Sequence, residues 1–306
     1  MYAVLFEKVL VNNFRVCFSI LAKALWMVTI IAYLRYQNLK PKKLNLYYLS
    51  LRIKDMEGEF NFTSESPGGA LTEFVERIGV FGNPADAPRE IVVLPDGRID
   101  LFFWRNDDGG FDVILLGLET EAEQRSVPPH TLVYTISFTP LGLEYLLGIP
   151  VAGFLNSGIQ LDAGFWDFAG ADFADFDAFY KKALHALTQR LPAETDLRKS
   201  RLFDLIYAAN GEISVAALAA QVGWGSRQIN RYFTHYFGLP LKVYCNILRF
   251  RASLKFIARG KLFPDLDFSD QNHFIKEIKK FSGVVPKELS KNENDRFVLL
   301  SLLNRQ

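Results

Sequence analysis

Four polar side chains cluster within residues 226–231, and their chemical types could read the edges of DNA bases. They are Arg227, Gln228, Asn230 and Arg231. Arginine forms paired hydrogen bonds with guanine, and asparagine or glutamine does so with adenine. At helical spacing the four side chains share an outward face, and one helix fits the major groove of a duplex. The pattern therefore favours base recognition by a helix.

Two short helices joined by a tight turn are predicted to position this face. Ser214 is a good N-cap, and an alanine-rich helix follows it to Val222. Gly223 stands at the turn, because a residue without Cβ adopts left-handed geometry most easily. Ser226 is expected to cap the second helix, which stops at Gly238. This is a helix-turn-helix interpretation, and an ordinary helical hairpin with a solvated polar face is the alternative.

A long helix is predicted next, over residues 241–259, and after it the first motif is repeated. The long helix carries Arg249, Arg251 and Lys255. Residues 268–286 then give a polar cap, a helix, a glycine and a proline, as in the first motif. By motif position, the outward and basic residues of this second unit are Gln271, Asn272, Lys276, Lys279 and Lys280.

This order of elements resembles the DNA-binding domain of AraC-family transcription regulators, where one linker helix joins two helix-turn-helix units. The match covers about residues 197–290. The residues that carry it are Leu218, Ala219, Gly223, Ser226, Arg227, Ile229, Arg231, Phe233, Gly238, Tyr244, Arg249, Ala252, residues 268–274, Lys279 and residues 283–286.

The resemblance implies a domain over residues 196–290 that binds double-stranded DNA, followed by a C-terminal tail over residues 291–306. Arg227, Asn230 and Arg231 would contact bases, with Ser226 near the DNA backbone. The candidates for phosphate contacts are Arg249, Lys255, Lys279 and Lys280.

The second unit departs from the family pattern before residue 268. The sequence between Ala252 and Phe268 is shorter than usual by about one helical turn. Pro264 and two aspartates are poor material for the interior of a helix. Asp267 stands where glycine is usual, and Ile278 replaces a phenylalanine. We therefore expect a helix over residues 270–281 with a short or missing helix before it.

The charge of the chain is divided very unevenly, although the total is only +1. Residues 56–195 hold 8 Lys and Arg against 22 Asp and Glu, a net charge of −14. Residues 196–306 hold 18 against 10, a net charge of +8. An acidic middle repels a polyanion, and a basic C-terminal third attracts one in a salt-dependent way.

Residues 1–55 form a basic and apolar extension with a net charge of +7. Residues 16–34 are apolar except for Lys23, which is about the length that spans a bilayer. Three interpretations stay open: a membrane anchor, an amphipathic or buried helix, and a start site placed too far upstream, with Met56 as the natural start.

Residues 56–192 are predicted to form a β-rich domain. Apolar runs over residues 90–94, 99–104, 111–116 and 131–138 alternate with turn residues. The stretch 94–103, with Asp-Gly at its turn, resembles a signature in the N-terminal domain of one AraC-type subgroup. That resemblance implies a small cupin-like domain. The fold class is therefore α+β, an antiparallel β-sandwich or barrel followed by an all-α helix-turn-helix domain.

Catalytic constellations are not found in the sequence, and we expect no enzyme activity, metal or cofactor. His130 is a lone histidine in the β region and offers no set of metal ligands. Asp96 and Asp100 flank a tight turn, which favours a role in the turn over acid–base catalysis. Cys17 and Cys245 lie too far apart for a zinc motif or a disulfide framework, which suits a cytoplasmic protein. An enzyme such as a DNA-repair protein would need a reactive cysteine in the middle domain.

Two further partners are expected, and one rival function remains. Aromatic residues of the β domain could line a pocket for a small-molecule effector. A helix over residues 176–191 could form a homodimer stripe, but its apolar spacing favours packing within the chain. A membrane is a partner only if residues 16–34 are an anchor. The rival function is a ligand-binding or dimerisation module whose degenerate helix-turn-helix part contacts protein rather than DNA.

Overall fold

The computed structural model describes residues 61–105, 110–263, 268 and 270–304, and these residues all belong to one compact unit. The expectations for residues 1–55, including the apolar segment 16–34 and a start at Met56, lie outside the described residues.

The first part of the described chain is an antiparallel β domain. Its strands are Asn61–Glu65 (β1), Val75–Asn83 (β2), Arg89–Val93 (β3), Ile99–Arg105 (β4), Phe111–Leu116 (β5), Glu123–Val127 (β6), Thr131–Phe138 (β7) and Gly158–Leu161 (β8). Within the described residues, six strands form one sheet in the order β1-β2-β7-β4-β5-β8, and β3 pairs with β6 in a second. Single helical turns lie at Gly69–Glu73, Pro140–Gly142, Leu143–Leu147, Phe165–Asp167 and Gly170–Phe173.

Alternation along the central strands places one face of the large sheet in the core. In β4, Ile99, Leu101 and Phe103 are fully buried. They face the helix Phe176–Thr188 (α1), where the ring of Phe179 lies 5.5 Å from that of Phe103. The predicted helix over residues 176–191 is thus present, and its apolar side packs on the sheet.

Two glycines of the β domain permit close approaches between backbone segments. A Cβ on Gly142 would lie 1.9 Å from the carbonyl oxygen of Phe74, and one on Gly117 would lie 2.3 Å from that of Phe154. Larger residues would push these segments apart. This packing accounts for glycine at both positions.

The stretch 94–103 is a corner between two sheets and not a hairpin. Val93 ends β3 and Ile99 begins β4, but β3 pairs with β6 whereas β4 pairs with β5 and β7. The predicted strand, turn and strand are present, but the two strands pair with other strands and not with each other. Gly97 has a φ of +73°, as a turn residue without Cβ can adopt.

The second part of the described chain is helical, which confirms the α+β class. Its helices are Leu197–Ala208 (α2), Val215–Val222 (α3), Ser226–Phe237 (α4), Leu241–Ala258 (α5), Gln271–Ser282 (α6), Pro286–Lys291 (α7) and Val298–Asn304 (α8). A single turn of helix lies at Glu293–Asp295. The core between α2, α4 and α5 includes the rings of Phe203, Phe233 and Tyr244, which are almost completely buried.

The first helix-turn-helix begins and ends at the expected residues, with one correction. Ser214 accepts a hydrogen bond from the Ala217 N–H at 3.1 Å, and Gly223 and Gly238 are left-handed with φ of 70° and 73°. Ser226, however, is the first helical residue and not the cap. The cap is Gly225, whose N–H donates to the Gln228 side chain at 2.9 Å, so Gln228 satisfies the end that Ser226 was expected to satisfy.

The second unit has its second helix but no described helix before it. Asp270 caps α6 by accepting a hydrogen bond from the His273 N–H at 2.8 Å. Between the end of α5 and Asp270, the described residues 259–263 and 268 are not helical. Pro264 and Asp267, the residues expected to disfavour a helix here, lie outside the described residues.

The segment after α7 returns to the β domain instead of leaving the fold as a free tail. The Val92 N–H donates to the Arg296 carbonyl oxygen at 2.6 Å, and Arg89 donates to that of Asn294 at 2.9 Å. Phe297 pairs with Val92 in a parallel bridge and is 1 % exposed. We call residues 292–301 the C-terminal strap.

Two properties of the described residues bear on membrane and metal binding. No helix of this part of the chain is long and apolar enough to cross a bilayer. No group of three or more His, Cys, Asp and Glu side chains there could hold a metal ion. His130 instead contacts Asp86 at 3.0 Å on the surface.

Candidate nucleic-acid interface

The outward side of α4 presents two arginines with no protein partner. Arg227 and Arg231 are exposed and make no hydrogen bond or ion pair with any described residue. The opposite side of the helix is buried through Ile229, Phe233 and Phe237. A helix fixed on one side with extended guanidinium groups on the other can donate paired hydrogen bonds to base edges.

The other polar residues of α4 already make local contacts. Gln228 caps the helix as described above, and Asn230 donates to the Ser226 carbonyl oxygen at 3.1 Å. Both side chains would have to exchange these bonds to reach a base. Arg227 and Arg231 are consequently better placed for direct reading than Gln228 and Asn230, although the sequence placed all four on one face.

A groove beside α4 brings in residues that the sequence reasoning missed. Arg198 of α2 donates to both carboxylate oxygens of Asp196, at 3.0 and 2.7 Å, and its guanidinium lies 5.3 Å from the centre of the Trp224 ring. The residues that line the groove are Arg198, Trp224, Gln228, Arg231, Tyr232 and His235. Steps of three and four residues along α4, from Gln228 to Arg231 and His235, could have identified His235, whereas Trp224 lies in the turn before the helix.

The candidate contacts of the second unit are exposed, but one of the two on the linker helix is not. Gln271, Asn272, Lys276, Lys279 and Lys280 all lie on the exposed side of α6, and Lys255 is exposed on α5. Arg249 is partly buried. It donates to the Asn246 side chain at 3.0 Å, and its guanidinium lies 5.2 Å from the centre of the Phe268 ring. Arg249 therefore helps to hold the start of the second unit.

A buried ion cluster joins the β domain to the linker helix. Glu76 of β2 pairs with Arg98 from the corner and with Arg251 from α5. Burial alone would raise the pKa of Glu76, but the two guanidinium groups outweigh it and hold that pKa well below its usual range. Beside this cluster, the Tyr244 hydroxyl donates to the Gly97 carbonyl oxygen at 3.1 Å. The corner between β3 and β4 thus packs against the helical domain.

Two carboxyl groups in the β domain are buried, and nearby positive charge offsets the cost of their ionisation less completely than it does for Glu76. Glu119 is 6 % exposed, and burial, with Asp100 and Asp96 nearby, raises its pKa well above the usual range. Burial and the charge of Asp96 raise the pKa of Asp100 to about 6, although Arg77 opposes them and Ser137 donates a hydrogen bond to Asp100. These carboxylates lower stability when ionised.

Asp100→Asn should therefore stabilise the protein at neutral pH. A carboxylic acid whose pKa is raised in the folded state stabilises it while protonated and loses that contribution as pH rises through about 4 to about 6. We expect the variant to match the parent at pH 4 and to unfold with about 1–2 kcal/mol more free energy at pH 7. Denaturant unfolding at both pH values measures this. Asp204→Asn, on an exposed position of α2, is the control, and an equal gain at both pH values would contradict the assignment.

The buried thiol of Cys245 bears on the enzyme hypothesis. Burial raises its pKa to about 12, so the thiol is protonated at neutral pH. Cys245 therefore lacks the thiolate that a nucleophilic cysteine needs, and Cys17 lies outside the described residues.

The comparisons with known proteins concern the β domain and the overall fold. Residues 64–160 match a family model described as a domain of unknown function, DUF6597. A search of curated proteins gave no significant match. The order of a β domain followed by a helical domain, which the AraC-type resemblance implied, is present.

Solved structures of ToxT from Vibrio cholerae resemble the chain. An apo ToxT variant is 11% identical, covering 70% of this chain and 96% of that chain, with a TM-score of 0.38. ToxT bound to (E)-4-(8-methylnaphthalen-1-yl)but-3-enoic acid is 12% identical, covering 79% of this chain and 98% of that chain, with a TM-score of 0.35.

Proposed function

We propose that the protein is an AraC-type transcription regulator that binds double-stranded DNA in a sequence-specific way and has no enzyme activity. One observation carries the proposal: Arg227 and Arg231 have no partner among the described residues and lie on a helix whose opposite side is fully packed. Helices held in this way read base edges in helix-turn-helix proteins. The domain that does so is taken as residues 196–290.

Charge supports the same partner. The helical third has a net charge of +8, whereas residues 56–195 carry −14. Exposed lysines on α6, among them Lys276, Lys279 and Lys280, extend the basic surface beyond α4. Phosphate contacts of this kind supply affinity without sequence preference, and base contacts add the specificity.

Three further parts of the proposal concern partners and location. The β domain, residues 56–192, would receive a small-molecule effector or mediate homodimerisation. The protein would act in the cytoplasm, where the DNA is. The membrane remains a partner only if residues 16–34 anchor the chain.

Selection of genomic fragments by the purified full chain tests the proposal. Fragments would be bound at 50 mM and at 200 mM salt, sequenced, and searched for a shared site. We expect a common sequence that survives at the higher salt, because base contacts are less salt-dependent than phosphate contacts. Binding without any enriched sequence would reduce the proposal to a non-specific DNA-binding protein, and no binding at all would refute it.

One observation favours the rival function, in which the helical part contacts another protein. The second unit lacks a described helix before α6, which is the helix that usually supports a reading helix. A protein complex that persists at high salt, together with no retained DNA, would select this alternative.

Lys280→Gln should mainly change the salt dependence of DNA binding. Lys280 is exposed near the C-terminal end of α6, where it could neutralise one phosphate. Removal of one such contact lowers the slope of log affinity against log salt by about 1. A titration of the selected site and of a random duplex at four salt concentrations measures it. Lys182→Gln, in α1 of the β domain, is the control, and a loss confined to the selected site would contradict a phosphate contact.

A further inference from the structure

The β domain contacts α4 through Tyr232 and Tyr236, beside the face that carries the candidate reading arginines. Glu144 accepts a hydrogen bond from the Tyr232 hydroxyl at 2.7 Å and pairs with Lys199 of α2. One turn later, the Val151 N–H donates to the carbonyl oxygen of Tyr236 at 2.9 Å. Both contacts come from the segment that follows β7, so a single part of the β domain fixes the reading helix.

Close packing at the end of α4 reinforces these bonds. A Cβ on Gly238 would lie 2.9 Å from backbone atoms of Ala152, so the two chains touch through their backbones. Burial and the nearby Glu144 raise the pKa of Tyr232, which keeps its hydroxyl protonated and donating. The position of α4 is therefore set by bonds with defined geometry and not by apolar contact alone.

The second unit reaches the same β domain by a different route. The C-terminal strap pairs with β3 through Val92, and α8 behind it packs on α5. The helix α6 packs on α5, where the centres of the Phe250 and Phe281 rings lie 5.3 Å apart. The strap thus supplies a connection to the β domain for the unit that lacks a described supporting helix.

Docking leaves both candidate reading surfaces open. Arg227 and Arg231 on α4 are exposed, and so are Gln271, Asn272 and Lys276 on α6. If the β domain blocked access to DNA, the β domain would cover these side chains. The docked arrangement is compatible with binding.

We propose that the β domain is a positioning frame that sets the separation between α4 and α6, with Glu144 and Tyr232 as positioning residues. The proposal rests on the proposed function. Two reading helices can occupy neighbouring major grooves only when they are about one turn of DNA apart, about 10–10.5 base pairs. Both helices already pack on α5, and a frame that also fixes them from the β-domain side lowers the entropy cost of ordering them on the duplex.

The test uses a spacing series with the full chain. DNA duplexes would carry the selected site with one, two or four base pairs inserted between its two halves. The parent should show a sharp optimum, losing about tenfold or more in affinity at the first insertions. Tyr232→Phe, which removes only the hydroxyl, and Glu144→Gln, which removes only the charge, should bind the optimum less tightly and lose no more than about threefold on insertion.

The controls separate positioning from general damage. Tyr180→Phe removes a hydroxyl from α1 of the β domain and should keep the parent profile. Thermal unfolding of each variant verifies that it is folded, because a merely structural role would lower the unfolding temperature and leave the spacing optimum unchanged. The proposal is contradicted if both folded variants keep a sharp optimum of affinity at one spacing. It is also contradicted if the affinity of the parent does not depend on the spacing. A parent that binds no DNA overturns the proposed function, and the frame with it.

Discussion

Arg227→Ala should weaken binding to the selected DNA by about 1–3 kcal/mol, a loss of roughly 5-fold to 150-fold. The substitution removes a guanidinium that has no partner among the described residues, so folding stability should change little. Selection with the variant should show relaxed preference at one base position and unchanged preference elsewhere. Affinity and selection together measure the effect.

Arg105→Ala provides the matched control for this prediction. Arg105 is an exposed arginine of β4, in the domain that we place away from the duplex. Its removal should alter affinity by a small and sequence-independent amount. If Arg227→Ala weakened binding to random and selected DNA equally, Arg227 would be a phosphate contact and not a base contact.

Glu76→Gln should destabilise the junction between the two domains by about 2–4 kcal/mol. The carboxylate is the shared partner of Arg98 and Arg251, and its removal leaves two buried guanidinium groups without a counter-charge. The expected loss is below the upper range for a buried pair, since the Glu76 side chain is 26% exposed. Denaturant unfolding followed by domain-specific fluorescence measures it.

The pH dependence of this effect has a definite sign. The folded-state pKa of Glu76 is depressed, so its contribution is fully present above the ordinary glutamate value and is lost as pH falls below about 4. The parent and Glu76→Gln should therefore converge in stability at low pH. Glu73→Gln, an exposed neighbour at the same end of the sheet, is the control; a gap as large at pH 3 as at pH 7 would show that the side chain acts through packing and not charge.

The helical part could be predicted closely because its signals are local. Ser214, Gly223 and Gly238 each act through their own backbone or the next turn, and α3 and α4 begin and end within one residue of expectation. The error at Ser226 arose because a glycine, Gly225, is the N-cap, and the Gln228 side chain accepts a hydrogen bond from the Gly225 N–H.

The β domain was predicted less completely because its strands are stabilised by distant partners. The strand β2 contains Glu76, Arg77 and Gly79, which read as a polar stretch, yet Glu76 finds its charge partner 175 positions away on α5. The strand β6 is also polar and pairs with β3 at the edge of the small sheet. No periodicity reports such contacts, so the domain junction, Glu144 and the strap were absent from the sequence interpretation.

The strap also ties the order of synthesis to the order of folding. Val298 packs on the small apolar cluster of Ile91 and Val127, so the second sheet gains its last neighbours from residues near the end of the chain. Domains generally fold as they leave the ribosome, N-terminal part first. Here that step stays unfinished until residues 296–298 have been made. A message cut short after residue 291 would yield a polypeptide that lacks the contacts between the strap and β3, while the contacts through Glu76 and Glu144 would remain.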